Sequence, residues 1–112
     1  MRIAIPLTDQ RLAMHFGHCE TFAMIDAERG SNAEFRREDV PAPAHQPGLL
    51  PAWLAEHGVT LVIAGGMGQR AVGLFAARGI QVVTGAPLET PERLVAQYLT
   101  GTLRSGENVC DH

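Results

Sequence analysis

The fold of this chain is decided by residues 59–68, which read Val59-Thr60-Leu61-Val62-Ile63-Ala64-Gly65-Gly66-Met67-Gly68. The first six of these residues are apolar apart from Thr60, a pattern typical of a parallel strand that is covered on both faces. The glycines that follow predict a tight turn into a helix. A strand, a turn and a helix in this order form the repeating unit of α/β proteins.

The segments on either side extend this unit into a complete sheet. Two apolar runs and one polar run precede it, and the polar run is expected to be an edge strand in a hairpin with its predecessor. The order βββαβαβα predicts a mixed five-stranded sheet with helices on both faces, a three-layer α/β/α architecture. Residues 8–19 and the proline-rich residues 41–48 are predicted loops. Strands are predicted over residues 3–5, 21–25, 34–40, 59–64 and 80–83, and helices over residues 49–57, 68–78 and 91–100.

Length and charge restrict the class of protein. With 112 residues, we expect one domain over residues 1–101 and a flexible C-terminal tail over residues 102–112. The formal net charge of −3 argues against a nucleic-acid-binding protein, which would show a basic face. No apolar run is long enough to cross a membrane, and the first residues do not resemble a signal peptide. We therefore expect a cytoplasmic protein, in which a disulfide between Cys19 and Cys110 is not favoured.

Two short segments are rich in residues that bind metals. The predicted loop before the second strand carries His15-Phe16-Gly17-His18-Cys19, and the chain ends with Cys110-Asp111-His112. Imidazole and thiolate are ligands for zinc, copper, iron and metal–sulfide clusters. His15, His18 and Cys19 are therefore candidate ligands. Cys110 and His112 could belong to a flexible arm that captures the metal. His45 in the proline-rich loop is a candidate for a third contact. The alternative is that Cys19 is a small buried apolar residue and that the tail is disordered.

The glycine-rich turn suggests a second kind of contact. Gly65, Gly66 and Gly68 would let the backbone approach a ligand, and the free amides at the start of the following helix attract anions. Arg70 would add a positive charge, and the Met67 thioether is a candidate soft contact. The alternative is an ordinary strand-to-helix turn. Because ligands bind beyond the carboxyl ends of parallel strands, we expect this turn, the His15–Cys19 loop and the proline-rich loop to meet there.

Features of hydrolytic enzymes are missing from the sequence. No acidic residue lies within the first strand, where a nuclease built on this type of sheet would need one. The chain has no G-x-S-x-G motif, and its acidic residues are scattered over turns and strand ends. We therefore expect a protein that is not an enzyme.

The chain resembles the dinitrogenase iron–molybdenum cofactor biosynthesis family. The resemblance rests on Ile3-Ala4-Ile5-Pro6, on His15-Phe16-Gly17-His18-Cys19 leading into Thr21-Phe22-Ala23-Met24-Ile25-Asp26, and on Val62-Ile63-Ala64-Gly65-Gly66-Met67-Gly68-Gln69-Arg70-Ala71. The family includes NifX-like carriers, the C-terminal domain of many NifB proteins and the small orange protein of sulfate-reducing bacteria. The resemblance implies a ribonuclease H-like fold without nuclease activity and non-catalytic binding of a metal–sulfur cluster or its precursor, of the iron–molybdenum cofactor or molybdenum–copper sulfide type.

The first hypothesis is therefore a small cytoplasmic metallocluster carrier, a monomer or weak homodimer that exchanges its cargo with donor and acceptor proteins. In this hypothesis the cofactor-binding residues are Gly65, Gly66, Met67, Gly68 and Arg70, and the metal contacts are His15, His18, Cys19, His45, Cys110 and His112. Two alternatives stay open. One is a phosphate- or nucleotide-binding regulatory module that uses the glycine-rich turn, and the other is a protein–protein adaptor.

Overall fold

A computed structural model of the protein describes residues 1–14, 16, 19–27, 35–44 and 48–103. The described residues form six strands and three helices. The strands are β1 (Arg2–Thr8), β2 (Arg11–Leu12), β3 (Thr21–Asp26), β4 (Arg36–Pro41), β5 (Leu61–Ile63) and β6 (Gln81–Val83), and the helices are α1 (Leu49–Glu56), α2 (Gln69–Ala77) and α3 (Pro91–Thr100).

The strands form one mixed sheet in the order β4-β3-β1-β5-β6. Strands β1, β3 and β4 are antiparallel neighbours, whereas β5 and β6 run parallel to β1. This arrangement confirms the predicted mixed sheet, in which an opening hairpin is followed by βα units. The edge position predicted for the polar strand is also confirmed, because β4 forms one border of the sheet.

The short strand β2 was not predicted, because residues 8–19 were expected to be a loop throughout. It pairs with the end of β1, with Leu7 opposite Leu12. The turn between them places Asp9 and Gln10 at φ values of 53° and 66°. Tight hairpins with two left-handed residues usually contain glycine or asparagine, so this Asp-Gln pair gave no recognisable hairpin signal.

The core consists of two layers, one on each face of the sheet. Alternate residues of β1 point to opposite faces, so that Ile3 and Ile5 join the core under α3 while Ala4 joins the core under α1 and α2. Leu94 and Val95 fill the first layer from α3, and Leu54 and Phe75 fill the second from α1 and α2. All four are fully buried. The predicted three-layer α/β/α architecture is thereby confirmed.

Helical spacing in α2 predicts that Val72, Phe75 and Ala76 form a buried stripe, and one part of this prediction is wrong. Phe75 is fully buried and Val72 half-buried, as its spacing predicts, but Ala76 is exposed. Ala76 lies beside the open edge of β6, where it lines a groove together with Ile80, Val82 and Tyr98. No described strand lies beyond β6 to cover it, and helical spacing in a sequence does not reveal where a sheet ends.

The last described residues close the third helix. Gly101 adopts a left-handed φ of 75°, and the N–H groups of Thr102 and Leu103 donate to the Gln97 carbonyl over 2.8 and 3.0 Å. Leu103 also packs against the core on this face. The rest of the predicted tail, residues 104–112, lies outside the described residues. Among the helices described, none has the length and apolar character needed to cross a membrane.

Candidate functional site

The candidate site lies at the edge of the sheet where the parallel strands β1, β5 and β6 end. The chain leaves β1, passes through β2 and a loop, and returns to start β3. Two main-chain hydrogen bonds hold the two ends of this loop against β1: Ala13 N–H donates to the Pro6 carbonyl over 2.8 Å, and Glu20 N–H donates to the Leu7 carbonyl over 2.9 Å. The segment that contains the His-Phe-Gly-His-Cys motif is therefore anchored on both sides at the carboxyl end of β1.

The glycine-rich turn after β5 contacts this loop directly. Gly66 N–H donates to the Met14 carbonyl over 2.7 Å, and Phe16 N–H donates to the Gly66 carbonyl over 2.8 Å. On the other side of the turn, Gly85 N–H donates to the Gly65 carbonyl over 2.6 Å. The ends of β1, β5 and β6 are thus joined by main-chain hydrogen bonds. We call this arrangement, formed by residues 13, 14, 16, 65, 66 and 85, the main-chain junction.

The junction explains why residue 65 is a glycine. A Cβ atom on Gly65 would lie 3.0 Å from the carbonyl oxygens of both Ala13 and Met14. Both neighbours are backbone atoms, which cannot swing away as a flexible side chain would. The sequence suggested that glycines here allow close approach of a ligand, and the structure shows close approach of the protein's own loop.

The predicted meeting of loops is confirmed for the described residues. The motif loop crosses the glycine-rich turn at Met14 and Phe16, and the proline-rich segment begins next to the same loop, with Ala42 N–H donating to the Glu20 carbonyl over 3.0 Å. Five of the predicted metal contacts lie outside the described residues: His15, His18, His45, Cys110 and His112. Within the described part of the chain, no three His, Cys, Asp or Glu side chains lie close enough together to hold a metal ion.

Cys19 is the one predicted metal contact that the structure describes. It is half-buried and packs against the apolar core formed with α1 and α2. This burial raises the pKa of the Cys19 thiol to about 11, because a thiolate is poorly solvated in apolar surroundings. At neutral pH the residue is therefore a neutral thiol, and a metal that bound its sulfur would have to displace a proton.

The start of α2 has the properties of an anion-binding helix end. Its N-cap residue, Gly68, supplies no side chain to the first-turn amides, and a Cβ atom on Gly68 would meet open space. Arg70 is exposed in the first turn, which contains no acidic residue. Met67 is placed differently, because its side chain is buried in the apolar core formed with α1 and α2.

Three residues near the junction were not singled out from the sequence: Gly85, Met14 and Leu88. Gly85 completes the junction, and its signal was a glycine two residues after a parallel strand. Met14 and Leu88 are each 54% exposed. They line a groove of about 540 Å³ together with Thr8, Asp9, Arg11, Leu12 and Ala13. A single exposed methionine has no periodic pattern, so only its position before the motif could have indicated it.

Comparisons with known proteins agree with this architecture. The chain is 32% identical over 110 residues to an uncharacterised protein of Methanocaldococcus jannaschii, covering 96% of this chain and 92% of that protein. It superposes on the crystal structure of PH0822 with a TM-score of 0.86 and 32% identity, covering 96% of each chain. It also superposes on the apo form of the orange protein from Desulfovibrio gigas with a TM-score of 0.72 and 25% identity, over 96% of this chain and 93% of that one.

The family model described as dinitrogenase iron-molybdenum cofactor matches residues 1–101. This range begins before β1 and ends at the glycine that closes α3, so it includes every strand and helix of the fold. Together with the relative that is 32% identical over nearly the whole chain, the match identifies the family: the chain belongs to the dinitrogenase iron–molybdenum cofactor family.

Proposed function

We propose that this protein binds a metal–sulfur cluster or its precursor and passes it to another protein, without catalysing a reaction. The observation that carries the proposal is the start of α2, where an exposed arginine and uncapped helix amides lie directly after the main-chain junction. Metal–sulfide clusters are commonly anionic, and amides and guanidinium groups stabilise negative charge. Membership of the iron–molybdenum cofactor family and the similarity to the orange protein support the same function.

The position of Arg70 supports an anionic ligand in particular. A positive charge in the first turn of a helix is unfavourable for the helix itself, because the helix dipole already places positive charge there. Neither an ion pair nor a hydrogen bond of the Arg70 side chain is found among the described residues. Arg70 therefore does not serve the stability of α2 in an evident way, whereas a bound anion would give it a role.

The start of α2 fits the anionic face of a cluster, because no side chain caps its first-turn amides and Arg70 is exposed there. In our proposal Gly68, Arg70 and the first-turn amides of α2 bind the anionic face of the cluster. Gly65 and Gly66 hold the motif loop beside it, because the Gly66 N–H and the carbonyls of both glycines are already bonded in the junction. The buried Met67 supports the turn from the core. His15, His18 and Cys19 offer soft contacts from the motif loop. His45 is proposed as a further contact from the proline-rich loop.

The C-terminal residues Cys110 and His112 are proposed to capture cargo. Helix α3, which precedes these residues, ends far from the site. Near the end of α3, Tyr98 lines the groove beside β6 together with Gly79 and Ile80. Gly79 and Ile80 precede β6, whereas the site lies where β6 ends. Nine residues, 104–112, follow the last described residue. An extended chain of this length spans about 30 Å, and a strand the length of β1 about 23 Å. The tail is thus long enough to reach the carboxyl end of the sheet.

The cargo must come from and go to other proteins, since a carrier neither builds nor uses it. We propose donor and acceptor proteins of metallocluster assembly as partners, a cytoplasmic location, and a monomer or weak homodimer as the carrier. Molybdenum, iron and copper sulfides are all candidates for the cargo.

Anaerobic reconstitution tests this function. The purified protein is mixed with tetrathiomolybdate, with and without Cu(I), or with Fe(II) and sulfide, then desalted and examined by visible spectroscopy and metal analysis. We expect a charge-transfer band and stoichiometric retained metal. Arg70→Ala should reduce retention at least about tenfold, as expected for the loss of a charge-assisted contact. Arg78→Ala is the matched control, because it removes the same charge from the other end of α2 and should leave retention unchanged.

Further variants separate the two halves of the site. A double variant, His18→Ala with Cys19→Ala, tests the soft contacts of the motif loop, and deletion of residues 104–112 tests the proposed arm. Absence of retained metal under every condition would refute the carrier function. Binding of inorganic phosphate that depends on Arg70 would then favour the regulatory module, and binding of neither would favour the adaptor.

A further inference from the structure

The outward face of α2 is unusual for a helix on a protein surface. Residues at helical spacing on this face are all exposed, namely Arg70, Gly73, Leu74, Ala77 and Arg78. A solvent-facing helical surface normally carries charged and polar side chains. Here the middle of the face consists of a glycine, an alanine and a leucine that is 38% exposed.

Gly73 in particular is not required by the fold. Glycine is among the least favourable residues within a helix, so its presence there needs a reason. A Cβ atom on Gly73 would meet nothing within 4 Å, so no described part of the chain packs closely against it. Its φ is not in the left-handed region either. A residue without a side chain leaves this part of the helix surface open to the close approach of another molecule.

The charges on this face indicate what kind of molecule approaches. Arg70 and Arg78 lie at its two ends, about 12 Å apart at the helical rise of 1.5 Å per residue. Helix α2 contains no acidic residue, and neither arginine has an ion pair among the described residues. The face is therefore a small apolar surface with a positive charge at each end.

A second copy of this chain does not fit this face. If two α2 helices packed antiparallel about Leu74, Arg70 of one copy would lie opposite Arg78 of the other. If they packed parallel, each arginine would face its own equivalent. Both symmetric arrangements bring like charges together, which disfavours association. A partner with carboxylates at the same separation would be attracted instead.

We propose that the outward face of α2 is a docking surface for a different protein, which contributes a helix with a flat ridge of small apolar residues and a carboxylate at each end. The inference rests on the proposed function, because a partner docked there would lie beside the start of α2, where the cluster is proposed to bind. Such a partner is a donor or acceptor of the cluster. Gly73 allows its helix to come close, and the arginines set its position along α2. The carboxylate at the Arg70 end competes with the anionic cluster for that guanidinium, so docking favours exchange of the cargo.

Binding of two matched synthetic helical peptides tests the proposal. Each has about 18 residues with an alanine–leucine ridge. One peptide carries glutamates eight positions apart, and the other carries lysines at the same positions. We expect the intact protein to bind the glutamate peptide at least about tenfold more tightly than the lysine peptide, in fluorescence anisotropy at low salt, with affinity falling as NaCl is added.

Variants of α2 identify the surface. Gly73→Leu and Arg78→Glu should each weaken binding of the glutamate peptide at least about tenfold. Ala96→Leu, which adds the same side chain to an exposed position of α3, is the control and should leave binding unchanged. Circular dichroism and thermal unfolding confirm that each variant is folded. Gly73→Ala should raise the Tm by a few degrees and still weaken binding, a combination that a purely structural role for Gly73 does not produce.

Three results would overturn the proposal: no saturable binding of either peptide, equal affinity for both, or unchanged binding by Gly73→Leu. A concentration-dependent dimer that Gly73→Leu abolishes, measured by analytical ultracentrifugation, would assign the face to a second copy and also overturn it. Cluster retention should be unchanged in Gly73→Leu and Arg78→Glu. If the wild-type protein retains the cluster but does not bind the peptide, the docking surface alone is refuted. If it binds the peptide but does not retain the cluster, the carrier function alone is refuted.

Discussion

Gly65 is the residue on which the geometry of the site depends most directly. Its missing side chain lets the turn after β5 lie against the carbonyl groups of Ala13 and Met14, and its own carbonyl accepts a hydrogen bond from Gly85. The sequence predicted that the glycines of this turn let the backbone approach a ligand, whereas at Gly65 the structure shows the approach of the chain's own loop. The sequence could not identify the approaching segment, since the contact is between parts of the chain that are about fifty residues apart.

Replacement of Gly65 by alanine should therefore destabilise the protein. We expect Gly65→Ala to lower the free energy of unfolding by about 1–3 kcal/mol, because the added methyl group would be forced against two backbone oxygens. Gly68→Ala is the control, since its Cβ atom meets open space, and we expect it to cost only the roughly 0.5–1 kcal/mol that alanine loses against glycine at an N-cap. Urea denaturation measures both. Equal stabilities of the two variants would show that the junction tolerates a side chain.

Burial of Cys19 makes a second prediction at this scale. Its pKa of about 11 lies above the ordinary value of about 9. Because only the thiolate reacts with iodoacetamide, Cys19 in the folded protein at pH 8 should react about 100-fold more slowly than in urea. Peptide mapping by mass spectrometry distinguishes it from Cys110. Equal rates in the folded and unfolded states would contradict the apolar placement of the thiol.

The same shift in pKa affects stability with a definite sign. The folded state holds the Cys19 proton more tightly than the unfolded state does. Between about pH 9 and 11 the unfolded state therefore binds fewer protons, and stability should fall as pH rises through this window. Below pH 9 both states are protonated, so this residue should cause no pH dependence there. The comparison of wild type with Cys19→Ala in urea denaturation at both ends of the window isolates its effect.

Among the elements, β4 shows how a polar strand is held at the edge of a sheet. Its side chains are mostly exposed, and the sequence correctly predicted an edge strand from its charges. The attachment to α3 was not predictable, because it joins residues that are distant in sequence. Arg37 donates hydrogen bonds to Asp39 on the same strand and to Glu92 in the first turn of α3. These bonds raise the pKa of Arg37 above its ordinary value.

Loss of this ion-pair network should weaken the packing of α3 against β4. We expect Arg37→Met to lower the free energy of unfolding by about 1 kcal/mol, near the upper limit for exposed ion pairs, because one guanidinium binds two carboxylates. The loss should shrink in high salt. Arg93→Met removes an exposed pair between the first turn of α3 and Glu89, which precedes the helix, and should have a smaller effect. A loss for Arg37→Met that is the same at low and high salt would show that packing of its aliphatic part is responsible.

For the whole molecule, the sequence predicted the layers, the mixed sheet and the order of elements, because apolar periodicity and glycine or proline boundaries encode them locally. It did not predict β2, since the left-handed turn at Asp9 and Gln10 uses residues that seldom form one. It also placed Met67 among the ligands, whereas the structure buries that side chain in the core. A methionine after a strand looks the same in sequence whether it faces a ligand or the interior.

A cluster bound at the junction should stabilise the entire domain. The site combines segments that follow β1 and β5, so the sheet must be intact for binding, and the unfolded chain has no equivalent site. By mass action, ligand at about 1,000 times its dissociation constant contributes about 4 kcal/mol to the folded state. We therefore expect the Tm to rise on loading with tetrathiomolybdate and Cu(I), and to rise much less in Arg70→Ala. If loading leaves the Tm of the wild type unchanged, the cluster binds the folded and the unfolded chain equally well, and the proposed site is not needed for binding.

The two hydrogen bonds between Gly66 and the motif loop use only the main-chain atoms of residues 14, 16 and 66. No side chain takes part in them. Side-chain substitutions in the motif loop therefore leave in place the groups that bond it to the turn. In the proposed carrier, such an arrangement would favour evolutionary divergence, since one scaffold would acquire a new metal preference through single amino-acid changes while the rest of the domain is retained.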